Sequence, residues 1–299
     1  FFPAAFLSFI LPIIGISIFT YIIAKRLAPL VRANPDLRFD SIGKRIYNLI
    51  TVWLGQIRQP RYMLAGVLHI IIFAGFLILS VRSLSLVIIG FSDGFVLPGF
   101  SGIPGAIYNF FKDYAATAVL VACIIAAVRR GYFRPARYAV PEKYGKDHTS
   151  EAVFVLGIIS TLMISESLFE ATEAAYQIQT SGHSHFLAPL TLGWFFKIIL
   201  SSVSLNVLQG LHIFMYYVHD LAFFFFLCFL PLGKHFHVIT SFFNVFFMRV
   251  DKGRIKPVMY GISDEKLDDL ESFGVKKLED FTWKHMLDFY SCADCGRCS

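Results

Sequence analysis

Charge is scarce in this chain. Asp, Glu, Lys and Arg together make up 16% of its 299 residues, against 56% hydrophobic residues and 33 phenylalanines. A soluble domain usually carries about 25% charged residues, so an ordinary water-soluble globule is excluded and a polytopic membrane protein is expected. Cysteine is scarce too. Of five, Cys123 and Cys228 sit in apolar runs as packing residues, and the other three crowd into the last eight positions. Basic residues are missing from two whole loops, 92–104 and 177–189. The net charge of +6 therefore reports membrane topology and contact with anionic lipid. Nothing in it points to nucleic acid.

What is present is a series of apolar runs. Phe6 to Ala24, Tyr62 to Gly90, Ile107 to Val128, Glu151 to Tyr176 and Asn206 to Leu232 are each long enough to cross a hydrocarbon core about 30 Å thick, predicting five spans in an all-α helical bundle. A sixth apolar piece, Phe186 to Leu205, is broken by Pro189, Gly193 and Lys197, and reads as an interfacial or re-entrant segment. Lys and Arg crowd the loops 25–61 and 129–146, which makes those loops cytoplasmic. The N-terminus is then outside, the C-terminus inside, and the location the cytoplasmic (inner) membrane. No cleavable signal peptide is evident. The chain opens at Phe1 rather than Met, so a processed or earlier native start is expected.

The fifth span and its extension carry four histidines: His212, His219, His235 and His237. If one helix ran through, His219 and His237, eighteen residues apart, would share a face roughly 27 Å apart along the axis. His212 falls near that face and His235 points away, towards headgroups or haem propionates together with Lys234. Intramembrane histidines suit either hydrogen-bonded helix contacts or axial haem ligands. Topology favours the second, because His69 in the second span and His237 fall at similar depth near the inner side. A bis-histidine haem b between them is the simplest use of both.

Span 2 with its histidine, and HDLAFFFFLCFLPLGKHFH with Pro231 between the two histidines, resemble the haem-b gamma subunit of respiratory nitrate reductases. The resemblance implies His237 for an inner haem and His219 for an outer one. In that family span 2 supplies two histidines ten residues apart, whereas here only His69 matches and the second position is Leu79. One haem or two are both open.

Glu166, Glu170 and Glu173 form an i, i+4, i+7 stripe in span 4, suggesting a proton path at Glu166 and Glu170 with His183 and His185 at its mouth. Arg82 could pair with one of them. The alternative places Glu173 and Glu170 in the headgroup region. The GHSH loop is a weak metal signal.

After Met248 the chain turns charged and helix-forming, so residues 1–248 are expected to be the haem-binding membrane domain and 249–299 a cytoplasmic linker and the beginning of a ferredoxin-like domain. Cys292, Cys295 and Cys298 in CADCGRCS have the C-x2-C-x2-C spacing that wraps a [4Fe-4S] cluster, with zinc as the competitor. The sequence stops inside that motif, so a longer polypeptide is expected. FTWKHMLDFYSCADCGRCS also resembles the entry to the iron–sulfur domain of heterodisulfide-reductase-like proteins. The combination resembles the membrane-bound electron-transfer flavoprotein:(mena)quinone oxidoreductases. That resemblance implies an electron path from a reduced electron-transfer flavoprotein, or another soluble redox protein, through the cluster and haem b to menaquinone or another quinone in the bilayer. The alternatives are a heterodisulfide-reductase-type subunit running from quinol to a cytoplasmic acceptor, and a proton-conducting anchor or transporter without haem.

Overall fold

The computed structural model describes residues 6–92, 94–138, 149–251 and 277–293. Among them the fold is all-α, and five helices are long and apolar enough to cross a membrane: Phe6–Arg32 (α1), Met63–Ile89 (α3), Gly102–Phe133, of which Gly102–Val128 is α4, Thr149–Ser181 (α5) and Leu205–Phe229 (α7). Helices are what such sequences must form in hydrocarbon, because every backbone N–H and C=O is then satisfied within the segment. The spans expected from sequence are all there. α4 starts five residues earlier than expected and runs on through a π-helical turn to Phe133.

Among the described residues two compact units can be distinguished, one drawn from residues 6–20 and 58–229 and the other from 21–57 and 230–293. The change in character at Met248 lies inside the second.

The first unit is built on the antiparallel pair α5 and α7. His219 on α7 reaches the carbonyl of Leu162 on α5 at 3.3 Å, and His212 reaches that of Phe169 at 3.0 Å. Both pairs step by seven residues, so one register accounts for both. Leu86, Phe169 and Tyr216 close a core between α3, α5 and α7. Small residues set the other approaches: a Cβ on Gly75 would lie 2.1 Å from the Val119 side chain, and one on Gly15 2.4 Å from the Phe224 ring. The interrupted piece does not cross. It is a nine-residue helix, Leu192–Leu200 (α6), capped by the Thr191 hydroxyl and laid against α5 with Gly193 near the Ser167 carbonyl.

The second unit corrects the histidine geometry. α7 stops at Phe229, a turn through Pro231 and Gly233 follows, and a separate helix, His237–Phe246 (α8), begins at His237 itself. The eighteen-residue spacing therefore does not put His219 and His237 on one face of one helix. Pro231 has no N–H to continue the ladder, which is why the chain turns there. The basic loop is also more than a topology signal. Ile42–Asn48 (α2) and a π-helical turn, Leu49–Leu54, pack on α8. Arg45 is buried and donates to the carbonyls of Phe246 (3.0 Å) and Met248 (2.9 Å), satisfying acceptors that the end of α8 leaves open. The last described helix is Trp283–Tyr290 (α9).

Candidate redox and charge sites

His237 is half-buried, and its Nδ1–H donates to the Lys234 carbonyl at 2.8 Å. That bond fixes the tautomer and leaves the lone pair on Nε2, the arrangement in which metal-bound imidazoles are held. Burial beside Lys234 also lowers its pKa, which favours the neutral, ligating form. His237 thus fits an axial haem ligand. His235 lies beside it, with ring centroids 6.3 Å apart. His69 is half-buried on α3, one turn after Gly66, in the first unit.

His219 fits less well. It is buried, its Nδ1 lies 3.3 Å from the Leu162 carbonyl and 3.4 Å from the Ser165 hydroxyl, and its Nε2 lies 3.3 Å from the Ser83 hydroxyl of α3. An iron on Nε2 would need the place that Ser83 holds. The residues around His219 do not fit a haem as they stand. His212 is held from α5, its ring stacked on Phe169 at 4.0 Å and its Nδ1 within 3.3 Å of the Thr172 hydroxyl.

Cys292 is exposed and follows α9 directly. Cys295 and Cys298 lie outside the described residues, as does the acidic stretch 261–276. The helix that leads into the cysteines is fastened to the helix that begins with His237. The Ser291 hydroxyl donates to that of Thr240 at 3.0 Å, and Thr240 donates to the Tyr290 carbonyl at 3.3 Å. The rings of Phe236 and Tyr290 lie 5.3 Å apart, and the Arg26 guanidinium covers both, at 5.2 and 5.1 Å. On α9, Lys284 bridges Asn244 and Asp288, each at 2.5 Å.

The segment before α9 is clamped from the basic loop. Asn34 and Thr282 form a parallel bridge: Asn34 N–H donates to the Phe281 carbonyl and Trp283 N–H to the Asn34 carbonyl, both at 3.1 Å. The Trp283 indole donates to the Asp36 carbonyl at 2.9 Å, and Arg38 grips the Asp36 carboxylate with two bonds, at 2.9 and 2.8 Å.

A second candidate lies within the first unit. Arg82 of α3 contacts Glu166 at 3.2 Å and Glu170 at 3.0 Å, so the pairing expected for one glutamate serves two. Lys112 of α4 joins them, bonded to Glu170, 3.2 Å from Asp113 and 3.7 Å from Glu166. Asp113 in turn accepts from the backbone N–H of Ala188 at 2.8 Å. Glu166 and Glu170 therefore belong to one ion cluster within the helix bundle. Glu173 stands outside it and accepts from Gln177 at 3.2 Å. His183 is exposed, and His185 donates to Gln177 through both its backbone N–H and its Nδ1.

Sequence reasoning passed over Lys112 and Asp113. Their signal was adjacency: a Lys-Asp pair in the middle of NFFKDYAAT, where charges are costly unless they meet partners. Asp220, fully buried one turn after Tyr216 on α7, was passed over in the same way.

Two curated proteins resemble the chain over almost its whole length. One, from Syntrophomonas wolfei subsp. wolfei, is named EtfAB:quinone oxidoreductase; it is 25% identical over 301 aligned residues, covering 99% of this chain and 40% of its own length. The other, from Bacillus subtilis, is named probable iron-sulfur-binding oxidoreductase FadF, with 26% identity over 302 residues, 99% of this chain and 39% of its own. The chain thus spans about two fifths of the curated relatives it matches. No described family and no solved structure matches it.

Proposed function

We propose that this chain is the membrane-embedded part of an oxidoreductase that passes electrons between a cytoplasmic iron–sulfur domain and quinone in the bilayer, with reduced electron-transfer flavoprotein as the electron source and menaquinone as the acceptor. The observation that carries this reading is the fastening of α9 to α8. The residue just before the first cluster cysteine, Ser291, is hydrogen-bonded to Thr240, one turn along α8 from His237. The two relatives support the same class of reaction, one by its quinone oxidoreductase name and the other by its iron–sulfur name.

His237 and His69 are the proposed axial ligands of an inner haem b, and Cys292, Cys295 and Cys298 the first ligands of a [4Fe-4S] cluster. These groups, when bound, supply the one-electron chemistry, and the protein supplies ligation, spacing and a low dielectric. Each part of the second unit has a task in this reading. Lys234 holds the His237 ring in its ligating tautomer through the 2.8 Å bond. Thr240, Phe236 and Arg26 keep the end of α9, and with it Cys292, at a fixed place on α8. His219 is a bracket between helices, so one haem is expected.

The direct test uses the full-length polypeptide in lipid vesicles, with reduced electron-transfer flavoprotein and a menaquinone analogue. Quinone reduction is expected, and it is expected to vanish in Cys292→Ser and in His237→Ala. Flavoprotein-driven reduction that survives both substitutions would overturn the assignment.

A further inference from the structure

The ion cluster of the first unit has an odd charge count. Two cations, Arg82 and Lys112, face three carboxylates, Asp113, Glu166 and Glu170, all within one contiguous set of contacts between 3.0 and 3.7 Å apart from the closer Lys112–Glu170 pair. If every group were ionised, one negative charge would be left over. Lys112, Asp113 and Glu166 are 2%, 8% and 3% exposed, on helices that lipid surrounds further. An unbalanced charge in such a place is far costlier than a neutral acid, so the set is expected to take up a proton.

We propose that these five residues form a single proton-binding site, neutral only when it holds one exchangeable proton, and that Glu166 carries it. The geometry selects Glu166. Glu170 faces both cations, hydrogen-bonded by Lys112 and in ion-pair contact with Arg82 at 3.0 Å. Asp113 is bonded by the Ala188 N–H at 2.8 Å and by Lys112 at 3.2 Å. Glu166 accepts from the Arg82 Nε–H at 3.2 Å, holds the longest contact of the set, 3.7 Å to Lys112, and is the most deeply buried of the three. Protonation there forfeits the least.

The other groups facing the set do not change the count. Tyr108 of α4 donates its hydroxyl to the Ile78 carbonyl at 2.9 Å. His219 of α7, which lies in the field of Arg82, has its Nδ1 on the Leu162 carbonyl. Glu173, one turn above, is occupied by Gln177, and His185, in the field of Glu170, is held by the same glutamine. The 182–191 loop and the start of α6 are tied to α4, where Asp113 accepts from the N–H of Ala188 and Thr117 from that of Leu192. Reduction of a quinone to a quinol consumes protons, and a site of this kind can lend one, which leaves the set with one negative charge until a proton from water restores neutrality. The site itself stands on charge and geometry, independently of haem or cluster.

The test is infrared difference spectroscopy of the full-length protein in vesicles at neutral pH, each variant subtracted from the parent so that other carboxyls cancel. The parent is expected to show one protonated-carboxyl C=O band that shifts in heavy water, and Glu166→Gln to lose it. Asp113→Asn is expected to lose it as well, because the remaining two carboxylates then match the two cations and Glu166 ionises. Lys112→Met is expected to roughly double the band. A band that persists in Glu166→Gln, or one that survives in Asp113→Asn with Lys112→Met unchanged, would overturn the proposal. Because two substitutions lower the same count and the third raises it, any variant that folds decides.

Discussion

Arg45 and Lys112 show how much a single buried cation holds in place here. Each is at most 2% exposed, and each meets several acceptors at once. Removing Arg45 leaves the Phe246 and Met248 carbonyls at the end of α8 without their donor. With about 1–3 kcal/mol for each buried group left unsatisfied, Arg45→Ala is expected to lower stability by about 2 kcal/mol, read as a fall in the thermal midpoint of the detergent-solubilised protein. Lys112→Ala removes the cation that Asp113, Glu166 and Glu170 share, so that a second carboxyl must take up a proton, and is expected to cost about 3–5 kcal/mol. Adding Glu170→Gln to it should recover part of that loss, which a double-mutant comparison of the same midpoints measures. Neither role was legible from residue type alone. Arg45 stood in a row of basic residues that all served to orient the chain, and only the fold tells the buried one from its exposed neighbours.

At the scale of elements, the spans were legible and the joints were not. Hydropathy alone marks α1, α3, α4, α5 and α7, because lipid permits few alternatives to a long apolar helix. The break between α7 and α8 was written in Pro231 and Gly233, yet the histidine spacing suggested a straight run through both. The clamp between Asn34 and Thr282 had no sequence signal, since it depends on backbone groups nearly 250 residues apart. Its strength is testable in two ways. Asn34→Pro removes the N–H that bonds Phe281, and amide hydrogen exchange across 283–290 is expected to quicken relative to the parent.

The second test is pH. Hydrogen bonds from Arg38 hold the Asp36 carboxyl below its ordinary 3.8. A lowered native value means that the stabilisation is complete above that ordinary value and fades as pH falls through the native one. The clamp is therefore expected to persist at neutral and mildly acidic pH and to loosen only in strong acid, read from exchange at Trp283. Loosening already at pH 6 would contradict the Asp36–Arg38 account.

For the molecule as a whole, the class was visible from composition, and the candidate ligands from histidine and cysteine placement. What the sequence could not separate was a histidine engaged between helices from the ligand proposed above. His219 is engaged at both ring nitrogens, by α5 and α3, and His212 is held at Nδ1 by α5, whereas His237 is oriented by Lys234 through Nδ1, with Nε2 as the atom that would ligate. The central claim is thus one haem b, on His237 and His69, and none on His219. Reduced-minus-oxidised absorption spectra of the purified full-length protein, with haem content measured alongside, test it most directly. One haem per chain is predicted for the parent, a loss of at least nine tenths of it in His237→Ala and in His69→Ala, and full retention in His219→Ala. Two haems in the parent with one lost in His219→Ala, or no haem band in any sample, would contradict the account.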